Sequence, residues 1–300
     1  YKTNDFRDPF VWREKDGYRM IVASGYAGRG IIFLYSSPDL ISWTYVGEFY
    51  AQKLKSGVPA FECPLYFRLM GREVLVVSPY SNPFYLIGRT VNKRFEPEIR
   101  GVFDGNPGWY APNTLETPDG RRVLFAWLQE ERPEAAQIAD GWSGAFALPR
   151  EIRLEADGSI SQAPLGELIK LRTASRRLSL ELAPDRFNLG PIPWAAGLEL
   201  TLPRPAAGSW EFRLWENLER DSYYSVELNA DQIILNDCLH APPDATAQKR
   251  SPLPRNGEEL EMRLFLDGSI IEVFLNRELA ISSRLYPADP KQRSACLIPP

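Results

Sequence analysis

The sequence predicts an all-β protein in which a partial β-propeller is followed by a C-terminal β-sandwich. Short apolar or alternating runs dominate the 300 residues, and no long run shows the period of an amphipathic helix. A unit of about 50 residues recurs in the N-terminal half, and such a period is typical of propeller blades.

Six runs in the N-terminal half have strand character. Turn-forming triplets such as Lys15-Asp16-Gly17 and Pro118-Asp119-Gly120 separate them, as in β-hairpins. We therefore predict strands at Tyr18–Ser24, Ile31–Ser36, Thr44–Phe49, Glu73–Ser78, Tyr85–Val91 and Arg122–Trp127.

The recurring unit begins with a proline that stands two positions after a polar or aromatic residue. It occurs as Arg7-Asp8-Pro9-Phe10, Glu62-Cys63-Pro64-Leu65 and Tyr110-Ala111-Pro112-Asn113. About three four-stranded blades fit between Phe6 and Leu154, whereas propellers usually have about four to eight. We therefore expect that blades needed to close the ring lie outside this sequence.

The pattern changes after Pro164. Leu165–Arg172 predicts a short helix or linker, and strand patterns with a different rhythm return from about Leu178. Alternation in these later runs, with Asp267-Gly268 as a tight turn, predicts a two-sheet sandwich. The expected domains are residues 1–164 (partial propeller), 165–175 (linker) and 176–300 (sandwich). The predicted sandwich strands are Leu198–Leu202, Trp210–Trp215, Tyr223–Leu228, Gln232–Leu235, Glu259–Leu266, Ile270–Leu275 and Ala280–Leu285.

Charge and hydropathy exclude some classes of partner. The formal net charge is −4 and the charges are mixed along the chain, so we expect no nucleic-acid or anionic membrane partner. No apolar run is long enough to span a bilayer. A neutral substrate is the simpler expectation, and the oligomeric state stays open.

Cysteine and histidine are scarce. Cys63, Cys238 and Cys296 are an odd, widely spaced set, which argues against a disulfide framework and a zinc site. The single histidine, His240, leaves little room for histidine-based chemistry. We expect no metal or organic cofactor, and the unpaired cysteines favour a cytoplasmic over a secreted location.

Two carboxyl groups on corresponding repeats could carry chemistry. Sugar acetals are cleaved between two such groups, one acting as acid and the other attacking carbon or activating water. The first strands of successive blades line the central axis of a propeller, so Asp8 and Glu62 could converge there. The alternative is that both are turn or capping residues.

The motifs around these residues resemble those of glycoside hydrolase family 32, the invertase, levanase and inulinase group. Phe6-Arg7-Asp8-Pro9 is similar to the Arg-Asp-Pro motif of that family, and Glu62-Cys63-Pro64 to its Glu-Cys motif. Further similar segments follow in the family's order: Trp109–Thr114, Gly120–Trp127, Gly141–Gly144, Leu148–Glu151, Leu266–Asn276 and Ser283–Pro287.

The resemblance implies a five-bladed propeller and a retaining cleavage of β-fructofuranosyl linkages in sucrose, inulin or levan. It assigns Glu62 as general acid/base and Asp8 as transition-state stabiliser. Four further residues fall in or near substrate-contact segments of the family: Arg7, Asp104, Tyr110 and Trp142. Two alternatives stay open: Tyr110 could cap a strand, and Trp142 could pack between blades.

One family motif has no counterpart in this sequence. The family nucleophile lies in a Trp-Met-Asn-Asp-Pro-Asn-Gly stretch, and nothing similar occurs in the 300 residues. We expect an N-terminally incomplete chain that is inactive alone. Two alternatives stay open: a fructosyltransferase of the same family and a non-catalytic carbohydrate-binding protein. An arabinan-cleaving five-bladed relative would share the propeller but not the combination of Arg-Asp-Pro, Glu-Cys and sandwich.

Overall fold

The computed structural model describes residue 3 and residues 5–177, 185–217, 222–238, 248–254, 257–286 and 294–300. The chain divides into two compact units, Tyr1–Gln129 with Ser143–Ala163, and Glu130–Trp142 with Pro164–Pro300. Leu178, His240 and Pro287, named above, lie outside the described residues. The domain limits given above stay a prediction.

The first unit consists of antiparallel sheets, each about as large as one propeller blade. The first sheet has the order β1-β2-β3-β4 and the second β5-β6-β7-β8. Their strands are β1 (Phe6–Glu14), β2 (Gly17–Tyr26), β3 (Arg29–Ser37), β4 (Thr44–Lys53), β5 (Glu62–Leu69), β6 (Arg72–Ser78), β7 (Phe84–Val91) and β8 (Arg94–Val102).

In the third sheet, two short strands take the place that a single third strand has in the other two sheets. One edge of its second strand pairs with the first strand, and the other edge pairs with two short strands in turn. The strands are β9 (Trp109–Glu116), β10 (Arg122–Leu128), β11 (Ala145–Phe146), β12 (Arg150–Leu154) and β13 (Ile160–Pro164). All six strands predicted in this half are confirmed.

Packing between neighbouring sheets explains the apolar runs of the middle strands. Ile31–Leu34 in β3 and Val74–Val77 in β6 are buried on both faces, as expected for strands with sheets on either side. The first strands β1, β5 and β9 lie next to one another in that order. The three sheets formed by the described residues do not close into a ring, and the predicted partial propeller is confirmed.

The three proline repeats share one backbone conformation. Asp8, Cys63 and Ala111 each precede the proline and have φ values of 56°, 45° and 48°, a region that residues with side chains rarely adopt. Pairing with the second strand is irregular at the same place in each sheet. Such bulges redirect side chains. The repeat therefore aligns Arg7 with Glu62 and Tyr110, one position earlier than Asp8.

The second unit contains two sheets that share an apolar core. A six-stranded sheet has the order β14-β23-β16-β17-β18-β19, and a four-stranded sheet the order β15-β20-β21-β22. The strands are β14 (Phe187–Pro191), β15 (Ala195–Pro203), β16 (Trp210–Asn217), β17 (Ser222–Leu228), β18 (Gln232–Asp237), β19 (Lys249–Pro252), β20 (Glu259–Asp267), β21 (Ile270–Leu275), β22 (Leu279–Arg284) and β23 (Ser294–Ile298).

Alternation along β20 shows why the sandwich was predictable. Leu260, Met262, Leu264 and Leu266 are buried, while the residues between them face outward, and this period of two places one face of the strand in the core. Gly268, with a φ of 56°, closes the hairpin to β21. The predicted sandwich and its hairpin are confirmed.

Two helical segments also belong to the second unit. Gly166–Leu171 forms a short 3₁₀ helix inside the segment predicted as helix or linker. The α-helix α1 (Glu134–Asp140) was not predicted, because it spans only seven residues and buries none of them, so it lacks an amphipathic pattern. No helix in the described part of the chain is both long and apolar enough to cross a membrane.

Candidate active site

The three side chains that the repeat aligns meet at one carboxylate. Arg7, Glu62 and Tyr110 stand near the starts of β1, β5 and β9, which lie side by side. Arg7 Nη1 donates to Glu62 Oε1 at 2.9 Å, and the Tyr110 hydroxyl donates to Glu62 Oε2 at 2.7 Å. Each oxygen of the Glu62 carboxylate therefore has a donor from a different neighbouring blade.

Glu62 is held in place without being sealed from solvent. Its side chain is 15% exposed, against 44% for the Arg7 side chain, and Tyr110 is buried beneath it. Donors fix the rotamer of the carboxylate, while its partial exposure leaves room for another molecule. This combination is what a group that exchanges protons with a ligand requires.

Tyr110 is a dependable donor because its hydroxyl remains protonated. Burial raises the pKa of Tyr110 well above its usual value, and the hydrogen bond to the Glu62 carboxylate raises it further. The same hydroxyl accepts the backbone N–H of Tyr80 at 3.0 Å. Tyr110 thus links the carboxylate to the loop between β6 and β7.

Arg7 bridges two carboxylates. It forms ion pairs with Asp5 and with Glu62. The negative charge of Asp5 is the main cause that holds the pKa of Arg7 above its usual value. The guanidinium is therefore a fixed positive charge at the edge of the site, where it can also meet a ligand.

Asp8 occupies the position beside this network rather than the one equivalent to Glu62. Its Oδ2 accepts the backbone N–H of Cys63 at 2.9 Å and lies 3.6 Å from Cys63 Sγ. Burial raises the pKa of the Cys63 thiol to about 12, and the charge of Asp8 contributes to the shift. The two carboxylates proposed from the repeat do lie on adjacent first strands, but they differ by one position in register.

Asp104 lies in the loop between β8 and β9, where it pairs with the first residue of β12. Its Oδ2 pairs with Arg150 Nη2 at 2.7 Å, and both side chains are fully buried. Its Oδ1 accepts the backbone N–H of Asn106, and its carbonyl accepts Asn82. In this structure Asp104 orders the loop that precedes β9.

Trp142 belongs to the second compact unit. The residue is 45% exposed, and the Arg132 guanidinium lies over its ring, 4.1 Å from the ring centroid. Arg284 approaches the same ring at 5.5 Å. A substrate contact through Trp142 stays a prediction.

Tyr80 and Asp5 join the network although the sequence did not single them out. Tyr80 lies in the loop after β6 and is 48% exposed. Asp5 precedes β1 and supports Arg7. Neither has a motif of its own, and the signal that could have indicated them is their closeness to the repeat positions in the folded chain.

The arrangement is suited to acid–base chemistry on a neutral, hydroxyl-rich ligand. Glu62 can give and take a proton, while Arg7 and Asp8 offer a donor and an acceptor beside it. Within the described residues, no group of three or more His, Cys, Asp or Glu side chains is placed to hold a metal ion.

Comparisons with known proteins agree with the fold and the motifs. Residues 1–164 match the family model "Glycosyl hydrolases family 32 N-terminal domain". Residues 199–296 match the model "Glycosyl hydrolases family 32 C terminal".

Individual relatives extend over nearly the whole chain. A sucrose-6-phosphate hydrolase of Escherichia coli is 28% identical over 319 residues, covering 97% of this chain. A raffinose invertase of Escherichia coli is 31% identical over 312 residues, covering 96%. The chain spans 63% of the length of each of these two proteins.

A solved structure shows the same fold. The β-fructofuranosidase of Bombyx mori superposes with a TM-score of 0.76 at 24% identity, covering 99% of this chain and 63% of that chain. The resemblance predicted from the ordered motifs is confirmed by the two family models. The chain belongs to glycosyl hydrolases family 32.

Proposed function

We propose that this protein hydrolyses β-fructofuranosyl linkages with retention of configuration, and that Glu62 is its general acid/base. The observation that carries the proposal is the Glu62 carboxylate, which receives Arg7 on one oxygen and Tyr110 on the other. It lies at the meeting point of three first strands, which supports a role at the centre of a propeller site.

In the first step, the protonated Glu62 gives its proton to the glycosidic oxygen as the bond from that oxygen to the anomeric carbon of fructose breaks. The leaving sugar departs as a neutral alcohol. A second carboxylate bonds to the anomeric carbon, and the family resemblance assigns it to a motif that has no counterpart in these 300 residues.

In the second step, the Glu62 carboxylate takes a proton from water while the water oxygen attacks the anomeric carbon. The bond to the second carboxylate breaks, and Glu62 regains its proton. Arg7 and Tyr110 hold the two oxygens of Glu62 in place during this step. The same geometry thus serves both halves of the reaction.

Asp8 has the geometry of a sugar-holding group. The Cys63 backbone N–H fixes Oδ2, and no hydrogen bond from the described residues to Oδ1 competes with a ligand there. An ionised carboxylate accepts hydrogen bonds from sugar hydroxyls. We assign Asp8 to the fructose hydroxyls, where it stabilises positive charge that develops in the transition state.

The names of the relatives support the class of substrate. One is a sucrose-6-phosphate hydrolase and another a raffinose invertase. Sucrose and raffinose both carry a terminal fructofuranosyl unit, which the proposed site would hold. Inulin and levan offer the same unit in polymers, and they belong to the same proposal.

The test uses the full-length protein with sucrose, raffinose, inulin and levan. We expect fructose release, with β-fructofuranose as the first anomer seen by rapid NMR, because two inversions give net retention. First formation of the α anomer would contradict the retaining mechanism. Failure to release or transfer fructose from any of the four would contradict the function. Fructosylated oligosaccharides at high sucrose would identify transfer in place of hydrolysis.

A further inference from the structure

Tyr80 is held against the Glu62 network by its backbone while its ring faces solvent. Its N–H donates to the Tyr110 hydroxyl at 3.0 Å, and that hydroxyl donates to Glu62 at 2.7 Å. The residue has a φ of 57°, a conformation that costs free energy for a tyrosine. The loop is therefore fixed in a strained shape that presents this one ring.

The loop has a second anchor two residues further on. Asn82 Nδ2 donates to the backbone carbonyl of Asp104 at 2.9 Å, and Asp104 is itself locked by Arg150. Tyr80 and Asn82 thus tie this loop to the third blade, although the loop belongs to the second. Such support holds the ring in one place before any ligand arrives.

The hydroxyl of Tyr80 is directed toward the charged groups of the site. Partial burial raises the pKa of Tyr80, and the Glu62 carboxylate, as hydrogen-bond partner and as negative charge, raises it further. The residue is nonetheless 48% exposed. One end of the side chain meets the acid/base, and the ring face is open to a ligand.

The position of the proton donor decides which part of a substrate this ring would meet. Glu62 in its proposed role lies beside the glycosidic oxygen, and the leaving group is attached to that oxygen. Asp8 lies on β1, whereas Tyr80 follows β6 and is bonded through its N–H to Tyr110 of β9. An exposed aromatic face next to the acid is suited to the apolar C–H face of a sugar ring.

We propose that Tyr80 is a specificity-determining residue that contacts the leaving sugar, a hexose unit such as glucose or a further fructose. This inference rests on the proposed function, because it takes Glu62 as the proton donor. The contact exists in the ground state and in the transition state alike, so its loss raises KM more than it lowers kcat. Substrates whose leaving group is not a sugar gain little from it.

The test compares sucrose with methyl β-fructofuranoside in the full-length protein. For Tyr80→Ala we expect kcat/KM for sucrose to fall about tenfold, mainly through KM, since one aromatic contact contributes about that factor. The value for the methyl fructoside should change less than about threefold. Tyr80→Phe keeps the ring and should retain most of the preference for sucrose.

Three results would overturn the inference. Equal losses on both substrates would show that Tyr80 supports the site as a whole, and unchanged kinetics on both would show that it meets neither. In both cases wild-type activity would leave the proposed function intact. A wild-type protein that cleaves neither fructoside would overturn the function and the inference together.

Discussion

The hydroxyl of Tyr110 lies 2.7 Å from Oε2 of Glu62, although the two residues are 48 positions apart and begin strands in different sheets. The proline repeat explains this closeness. Each blade carries the same bulge before its proline, and the innermost strands are adjacent. The three equivalent positions therefore carry Arg7 as a hydrogen-bond donor, Glu62 as the acid and Tyr110 as a second donor.

Tyr110→Phe removes a hydroxyl that serves two partners. The Glu62 carboxylate loses a donor and the Tyr80 N–H loses its acceptor, so we expect kcat for sucrose to fall about tenfold, the worth of a hydrogen bond to a charged group. Steady-state kinetics of the full-length protein measures it. Tyr85→Phe is the matched control, because that hydroxyl accepts the Ile160 N–H away from the site. The arrangement would be refuted if Tyr110→Phe kept the wild-type kcat while Tyr85→Phe lost about tenfold.

The thiol of Cys63 should resist alkylation. With a pKa of about 12, caused by burial and then by the charge of Asp8, about one thiol in ten thousand is ionised at pH 8. Iodoacetamide labelling followed by mass spectrometry should therefore be slow at pH 8 and accelerate as the pH rises toward 12. Asp8→Asn removes the negative charge, lowers the pKa of the thiol and should speed labelling at pH 8. Labelling of Cys63 at the rate of a free cysteine would contradict this environment.

Arg150 and Arg153 provide a matched pair on one strand. Arg150 pairs with Asp104 where both side chains are fully buried, whereas Arg153 pairs with Glu151 on the surface. Arg150→Met leaves a buried carboxylate without its cation and should cost about 3–5 kcal/mol. Arg153→Met should cost less than about 1 kcal/mol. Thermal unfolding of both variants measures the difference, and equal midpoints would mean that the buried pair stabilises nothing.

Glu130 fixes the segment that carries α1 and Trp142. Its side chain is 3% exposed, pairs with Arg132 at 3.0 Å and Arg284 at 3.7 Å, and accepts the Tyr286 hydroxyl. Glu130→Ala removes the carboxylate from the buried guanidinium of Arg284 and from the partly buried guanidinium of Arg132. We expect the segment to open, so that a glutamate-specific protease cuts after Glu131 or Glu134 at least about tenfold faster than in the wild type. Tyr286→Phe, which keeps both ion pairs, should stay near the wild-type rate.

Strands were predictable from the sequence wherever their residues alternate between apolar and polar or form a continuous apolar run. β20 is buried on one face, and its residues alternate accordingly. β6 is buried on both faces, and its residues form a continuous apolar run. α1 has neither pattern, because it buries no residue. Its place is set by Glu130, whose carboxylate pairs with Arg284 and accepts the Tyr286 hydroxyl, both distant in the sequence.

The candidate site was predictable in part. Motif order indicated Glu62, Asp8 and Arg7, and the repeat brought two of them into one network. The prolines of the repeat already align Glu62 with Arg7 and not with Asp8, and the bulges of the two strands have the same register. The sequence did not indicate Tyr80, whose contact arises only when the second and third blades pack together.

The most direct test of the account is the rate of fructose release from sucrose by Glu62→Gln in the full-length protein. Glutamine keeps the shape and can still accept one of the two hydrogen bonds through its amide oxygen, but it carries no proton for the glycosidic oxygen. We expect kcat to fall about 10²- to 10⁴-fold, while Glu116→Gln, which alters a surface pair with Arg122, keeps the wild-type rate. Wild-type activity in Glu62→Gln would contradict the assignment of Glu62 as the general acid/base.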